Sequence, residues 1–189
     1  MLALVGSGEF LETMRPIDAM LLERARPNGR ARVVVIPTAS IPDGPHVVER
    51  WASMGRAHFG ALGAIVDVVV IGAADRANDP AVAQRIAAAD LVYFSGGKPR
   101  FLLDALRGTP AWAAVLAVHA RGGVVVGCSA GAMVLGGALL APRVRWPLAT
   151  HPAFDLVPNC IILPHYVALP GLLRNLVLRG IPSVLTVLG

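Results

Sequence analysis

The stretch Val124-Val125-Val126-Gly127-Cys128-Ser129-Ala130-Gly131-Ala132 joins a run of β-branched residues to a run of small ones. Three consecutive valines between Gly123 and Gly127 predict a short strand buried on both faces. The Gly-x-Ser-x-Gly pattern that follows is a strand-to-helix turn, in which flanking glycines permit a strained backbone and lift the Ser129 hydroxyl clear. Ala130 to Leu135 can then open a helix. A strand buried on both faces needs helices above and below it, so this one stretch points to an α/β sheet carrying a reactive serine at a strand end.

The same grammar extends in both directions. Apolar runs bounded by Gly, Pro or Ser recur at Leu2 to Val5, Arg32 to Ile36, Ile65 to Ile71 and Leu91 to Phe94, each short enough for a strand. Between them, helical spacing spans Pro16 to Ala25, His46 to Leu62, Pro80 to Ala89, Pro99 to Leu106 and Ala111 to Arg121. Alternation of strand and helix predicts right-handed crossovers and a three-layer α/β fold: a mostly parallel sheet with helices on both faces. Beyond Pro142 the pattern is punctuated by prolines, with strands expected at Asn159 to Leu163 and Ser183 to Leu188. No repeat or linker-like segment divides the chain, so residues 1–189 read as one domain.

Composition narrows the function classes. The chain of 189 residues is 55% hydrophobic and only 15% charged, enough apolar material for a substantial core and too little polarity for disorder. Its 17 basic residues give a net charge of +5, yet they are spread along the chain without a dense run or interleaved aromatics, which argues against a nucleic-acid partner. Cys128 and Cys160 have no metal-type spacing and form no disulfide framework; no metal or organic cofactor is expected, and a reducing, cytoplasmic setting fits. Met1 to Gly6 lacks the basic start and long apolar run of a signal peptide. Gly122 to Pro142 is uncharged and about long enough to span a bilayer, but the valine run followed by small residues reads as strand and turn, and no membrane association is expected.

Three Gly-marked loops fall at predicted strand ends: Gly6-Ser7-Gly8-Glu9, Ser95-Gly96-Gly97-Lys98 and the Ser129 turn. The second can supply a backbone donor facing the same carbonyl oxygen as the third, so the Gly97 and Ala130 N–H groups are the expected oxyanion hole. A serine hydroxyl needs a base. Of five histidines only His151 and His165 follow Ser129, and His165 directly follows the strand-like run Asn159 to Pro164, whereas His151 lies in a Pro-rich loop. Asp155 is the one acidic residue after Ser129, which makes it the orienting carboxylate by elimination; a plain turn residue is the equal alternative, and Glu9, beside the first Gly-rich loop, is another candidate.

Taken together, Leu4-Val5-Gly6-Ser7-Gly8-Glu9, Ile36-Pro37-Thr38-Ala39-Ser40, Tyr93-Phe94-Ser95-Gly96-Gly97, Gly127-Cys128-Ser129-Ala130-Gly131-Ala132, Pro164-His165-Tyr166 and Gly180-Ile181 resemble the cyanophycinase and dipeptidase E family of serine peptidases. The resemblance implies a fold like that of class I glutamine amidotransferases, of a kind that often dimerises. It implies hydrolysis of a peptide or amide bond in a small peptide substrate through an acyl-enzyme on Ser129, with His165 relaying the proton and no cofactor. It also places Gly96, Lys98 and Arg174 at the substrate, although relatives commonly carry an acidic or amide residue where Lys98 stands. Pro142 to Pro147, where the family's acidic triad member is expected, holds no carboxylate, and Gly180-Ile181-Pro182-Ser183 replaces the usual Gly-Ile-Asp-Glu. The rival expectation is therefore a binding protein of the same fold that has lost turnover.

Overall fold

A computed structural model describes residues 1–72, 77–140 and 149–165, together with the backbone of Val184–Thr186. Strands β1 (Leu2–Val5), β2 (Arg32–Ile36), β3 (Ile65–Val68), β4 (Leu91–Phe94) and β5 (Val124–Cys128) form one sheet in the order β1-β5-β4-β2-β3, and every pairing in it is parallel. Between and after them run α1 (Arg15–Ala25), α2 (Pro45–Ala61), α3 (Pro80–Ala87), α4 (Pro99–Leu106), α5 (Pro110–Ala120) and α6 (Ala130–Leu135).

Successive side chains on a strand face opposite ways, and here both ways are dry. Val33, Val35, Leu91, Tyr93, Val124 and Val126 pack with Leu21 and Leu22 of α1 and Phe59 of α2. Their neighbours Val34, Ile36, Val92, Phe94 and Val125 pack with α3, α4, α5 and α6 on the other face. The three-layer α/β architecture follows from this alternation. Each fully buried valine or leucine contributes roughly 1.5–3 kcal/mol relative to exposure. Helix starts are written locally: Pro80 and Pro110 follow the N-caps Asp79 and Thr109, whose side chains accept hydrogen bonds from the Ala81 and Trp112 amides at 2.8 and 3.2 Å.

Two elements differ from expectation. β3 stops at Val68 rather than Ile71, because its partner β2 ends at Ile36 and turns into a 3₁₀ segment; the Ile71 amide is taken by the Thr38 hydroxyl at 3.0 Å instead of by a strand. The uncharged segment weighed against a membrane span divides, over its described part, into β5, α6 and a further strand, β6 (Gly136–Leu140). Among the described residues no single helix is long and apolar enough to cross a membrane.

β6 belongs to a second sheet with β7 (Thr150–Pro152), β8 (Val157–Leu163) and β9 (Val184–Thr186), in the order β7-β6-β8-β9. β7 is antiparallel to β6, while β8 is parallel to both β6 and β9. Ile161, Ile162 and Leu163 are buried, which anchors the end of β8 from which the chain continues to His165.

One buried polar pair ties α1 to α2: His58 Nε2 lies 2.8 Å from Asp18 Oδ2, with the two side chains 5% and 0% exposed. Burial pushes the Asp18 carboxyl above its ordinary range, and the bond to His58 opposes that shift. The Arg85–Asp67 pair is by contrast half exposed. His58→Ala is expected to destabilise the protein by about 3–5 kcal/mol, the cost of breaking a buried pair, and Asp67→Ala by under about 1 kcal/mol. Urea denaturation of the two variants checks the contrast.

Candidate active site

The ends of four neighbouring strands deliver four loops to one edge of the parallel sheet. β5 runs directly into Ser129, whose backbone sits at φ 50, ψ −111. A positive φ is uncommon outside glycine and is tolerated where surrounding structure imposes it. Two contacts impose it here: the Ser129 N–H donates to the Val5 carbonyl at the end of β1 at 2.9 Å, and Gly131 lies so close to β4 that a Cβ on it would collide with the Phe94 carbonyl. The elbow is thus pressed onto the sheet by the absence of a side chain.

His165 follows the end of β8 and is exposed, with its own backbone at φ 55. Its Nε2 lies 2.9 Å from Ser129 Oγ, within the range for proton transfer between a nucleophile and its base. Residues 36 positions apart, carried by different sheets, are brought together at this point.

The loop after β4 lies against both the serine and the loop after β2. A Cβ on Gly96 would sit 3.4 Å from Ser129 Cβ and 3.7 Å from its Oγ. Gly97 adopts φ 140 and packs onto the Ala39 backbone, where a Cβ would collide with the Ala39 carbonyl. The Lys98 N–H donates to that same carbonyl at 2.7 Å. Among the described residues, neither the Gly97 nor the Ala130 N–H has a hydrogen-bond partner. Lys98 itself is 59% exposed and pairs with Asp43 Oδ1 at 3.2 Å, a partner hidden from sequence reasoning because it comes from the loop after β2.

The two candidate carboxylates have different fates. Asp155 is exposed in the turn between β7 and β8, at φ 60, with its N–H on the Gly136 carbonyl at 2.8 Å. Its Oδ1 lies beside Gly137, 3.1 Å from where a Cβ would stand there, so the turn holds the carboxylate over β6. Among the described residues no carboxylate hydrogen-bonds His165, Asp155 included. Glu9 is instead buried, 7% exposed. Its Oε1 accepts the Gly96 N–H at 3.0 Å and its Oε2 accepts the Cys128 S–H at 3.1 Å. Its place in a Gly-rich loop at the end of β1 was the signal that pointed to it. Arg174 lies outside the described residues.

Cys128, one residue before the elbow serine, is fully buried, and its thiol is pushed well above its ordinary range by burial first and by Glu9 second. It is therefore held as a thiol, whereas the half-buried Ser129 turns its hydroxyl to His165. The described residues hold no cluster of His, Cys, Asp or Glu that could bind a metal ion.

The family model described as Peptidase family S51 matches residues 2–178. Among solved structures, a peptidase from an acI-B1 Actinobacterium superposes with a TM-score of 0.86 at 30% sequence identity, covering 98% of this chain and 78% of that one. A putative peptidase E protein from Listeria monocytogenes EGD-e superposes with a TM-score of 0.71 at 22% identity, covering 98% and 89% of the two chains, and is a likeness of fold. No curated protein matches this chain.

Replacing Gly97 by Ala is expected to cost about 1–3 kcal/mol in stability, as overpacking against backbone does. Urea midpoints for Gly97→Ala and the unaltered protein measure this; an unchanged midpoint would mean the loop after β4 is not seated on Ala39 as described.

Proposed function

The chain belongs to peptidase family S51 and is a serine-type peptidase, and from that premise we propose that it hydrolyses a peptide or amide bond in a small peptide substrate through an acyl-enzyme on Ser129. The observation that carries the proposal is the 2.9 Å contact between Ser129 Oγ and His165 Nε2. In the first step Oγ bonds to the substrate carbonyl carbon while its proton passes to Nε2. The carbonyl oxygen becomes an oxyanion, for which the two unpartnered amides, Gly97 and Ala130, are the available donors. Collapse breaks the C–N bond, His165 returns the proton to the departing amine, and water then repeats the sequence on the ester to release the acid.

In this reading Gly96, which lies beside the serine, Lys98, one residue beyond Gly97, and Arg174 meet the substrate. Lys98 favours a substrate with a negative group near the scissile bond, since a partly exposed ammonium already engaged with one carboxylate can exchange it for another. Asp155 is left out of the machinery because its turn holds it over β6. A reducing, cytoplasmic setting is part of the proposal and is supported by two free cysteines.

Because no described carboxylate meets His165, a binding protein without turnover is the second reading. A fluorophosphonate separates the two: Ser129 Oγ bonds to phosphorus, fluoride leaves with the P–F pair, and the hydroxyl proton goes to His165. Stoichiometric labelling at Ser129 is expected, absent in Ser129→Ala and slowed about 10²–10⁴-fold in His165→Ala. A folded protein that stays unlabelled would overturn the peptidase mechanism in favour of the binding protein. Asp155→Asn is expected to label within about threefold of the unaltered rate, against the roughly 10⁴-fold loss seen when a triad aspartate is neutralised.

A further inference from the structure

We infer that Glu9 is a positioning residue for the oxyanion hole, a buried carboxylate whose two oxygens lock the loop after β4 to the elbow after β5. The inference rests on the reading of Ser129 as nucleophile and goes beyond it by assigning what holds the hole in shape.

The argument starts from three consecutive amides. Gly96 N–H is taken by Glu9 Oε1 at 3.0 Å, and Lys98 N–H is taken by the Ala39 carbonyl at 2.7 Å. Only the amide between them, Gly97 N–H, has no partner among the described residues. Fixing the amide on either side fixes the orientation of the peptide unit in between, so the free donor is aimed rather than merely exposed. The second oxygen of Glu9 holds Cys128 at 3.1 Å, and Cys128 is bonded directly to Ser129, whose other neighbour Ala130 carries the second free amide. One side chain therefore sets the spacing between the two donors and the nucleophile.

The site is built for such a clamp. Glu9 is 7% exposed and Cys128 fully buried, so neither bond competes with solvent. The nearest surface of Gly96 leaves Glu9 no slack: a Cβ there would stand 2.6 Å from Oε1. Removing the acceptor would leave the Gly96 N–H buried and unpaired, a state a glycine loop relieves by rotating its peptide planes. Rotation of the Gly96–Gly97 plane turns the oxyanion donor away while Ser129, His165 and Lys98, whose N–H stays on the Ala39 carbonyl, keep their places. Glu9 thus acts on the rate of the chemical step and not on binding.

Saturation kinetics of a fluorophosphonate at Ser129 test this, because the P=O oxygen occupies the position of the oxyanion. Glu9→Met keeps the volume and loses both acceptors, whereas Glu9→Gln keeps an acceptor for Gly96. Expected is a fall of about ten- to a hundredfold in the maximal labelling rate of Glu9→Met, with an unchanged half-saturating concentration, and a rate within about threefold of the unaltered protein for Glu9→Gln. A core residue with no part in positioning would shift the urea midpoint and leave this split unmoved. Equal maximal rates for Glu9→Met and the unaltered protein, or equal losses in Met and Gln, overturn the inference while the nucleophile reading stands. An unaltered protein that does not label overturns both. Should Glu9→Met fail to fold, Glu9→Asp, too short to reach both partners, is expected to lose about tenfold, and an undiminished rate overturns the clamp.

Discussion

The seating of the β5 elbow on the end of β4 is the contact on which the site depends. Ser129 holds a backbone conformation that costs of order 1–3 kcal/mol for a residue with a side chain. The cost is offset because the strand leading into it is wholly buried and because Gly131 allows the following turn to lie directly on the Phe94 carbonyl. Phe94 is itself buried and contacts Trp112 of α5, so the surface that receives the elbow is rigid. A methyl group on Gly131 would collide with the Phe94 carbonyl, so one of the two segments would have to shift.

Strand order converts that local device into a site. Because β1, β5, β4 and β2 are neighbours and parallel, their carboxyl ends stand side by side, and Glu9, Ser129, Gly97 and Ala39 meet although they are far apart in the chain. His165 arrives separately, from a strand of the second sheet whose last three residues are buried. Ser129 and His165 are thus held by different frameworks that converge at one hydrogen bond, and each carries a positive φ at the point of contact.

The two carboxylates show how burial and backbone decide roles that residue type leaves open. Glu9 and Asp155 were both candidates for orienting the histidine. Glu9 points inward from a Gly-rich loop and spends both oxygens on donors of the neighbouring loops. Asp155 is held by its own turn over β6 and, among the described residues, makes no hydrogen bond to the histidine that follows it by only ten positions.

Much of this was readable from residue order. Valine-rich runs specify strands buried on both faces, Pro and N-cap pairs mark helix starts, and a serine between glycines after such a strand marks a strained turn, because these are local preferences of backbone and side chain. β6 was not readable, since Gly136–Leu140 has no β-branched residue and becomes a strand only by pairing with β7 and β8. The early end of β3, the Asp18–His58 pair and the Lys98–Asp43 pair share that character, each being decided by which distant segment lies opposite. The sequence by itself determined the parallel sheet, the turn that carries Ser129 and the strand end from which the chain runs on to His165. Only the tertiary structure decided which carboxylate is buried beside the glycine loop, because Glu9 meets partners 119 and 87 positions away through strand order, which no local pattern records.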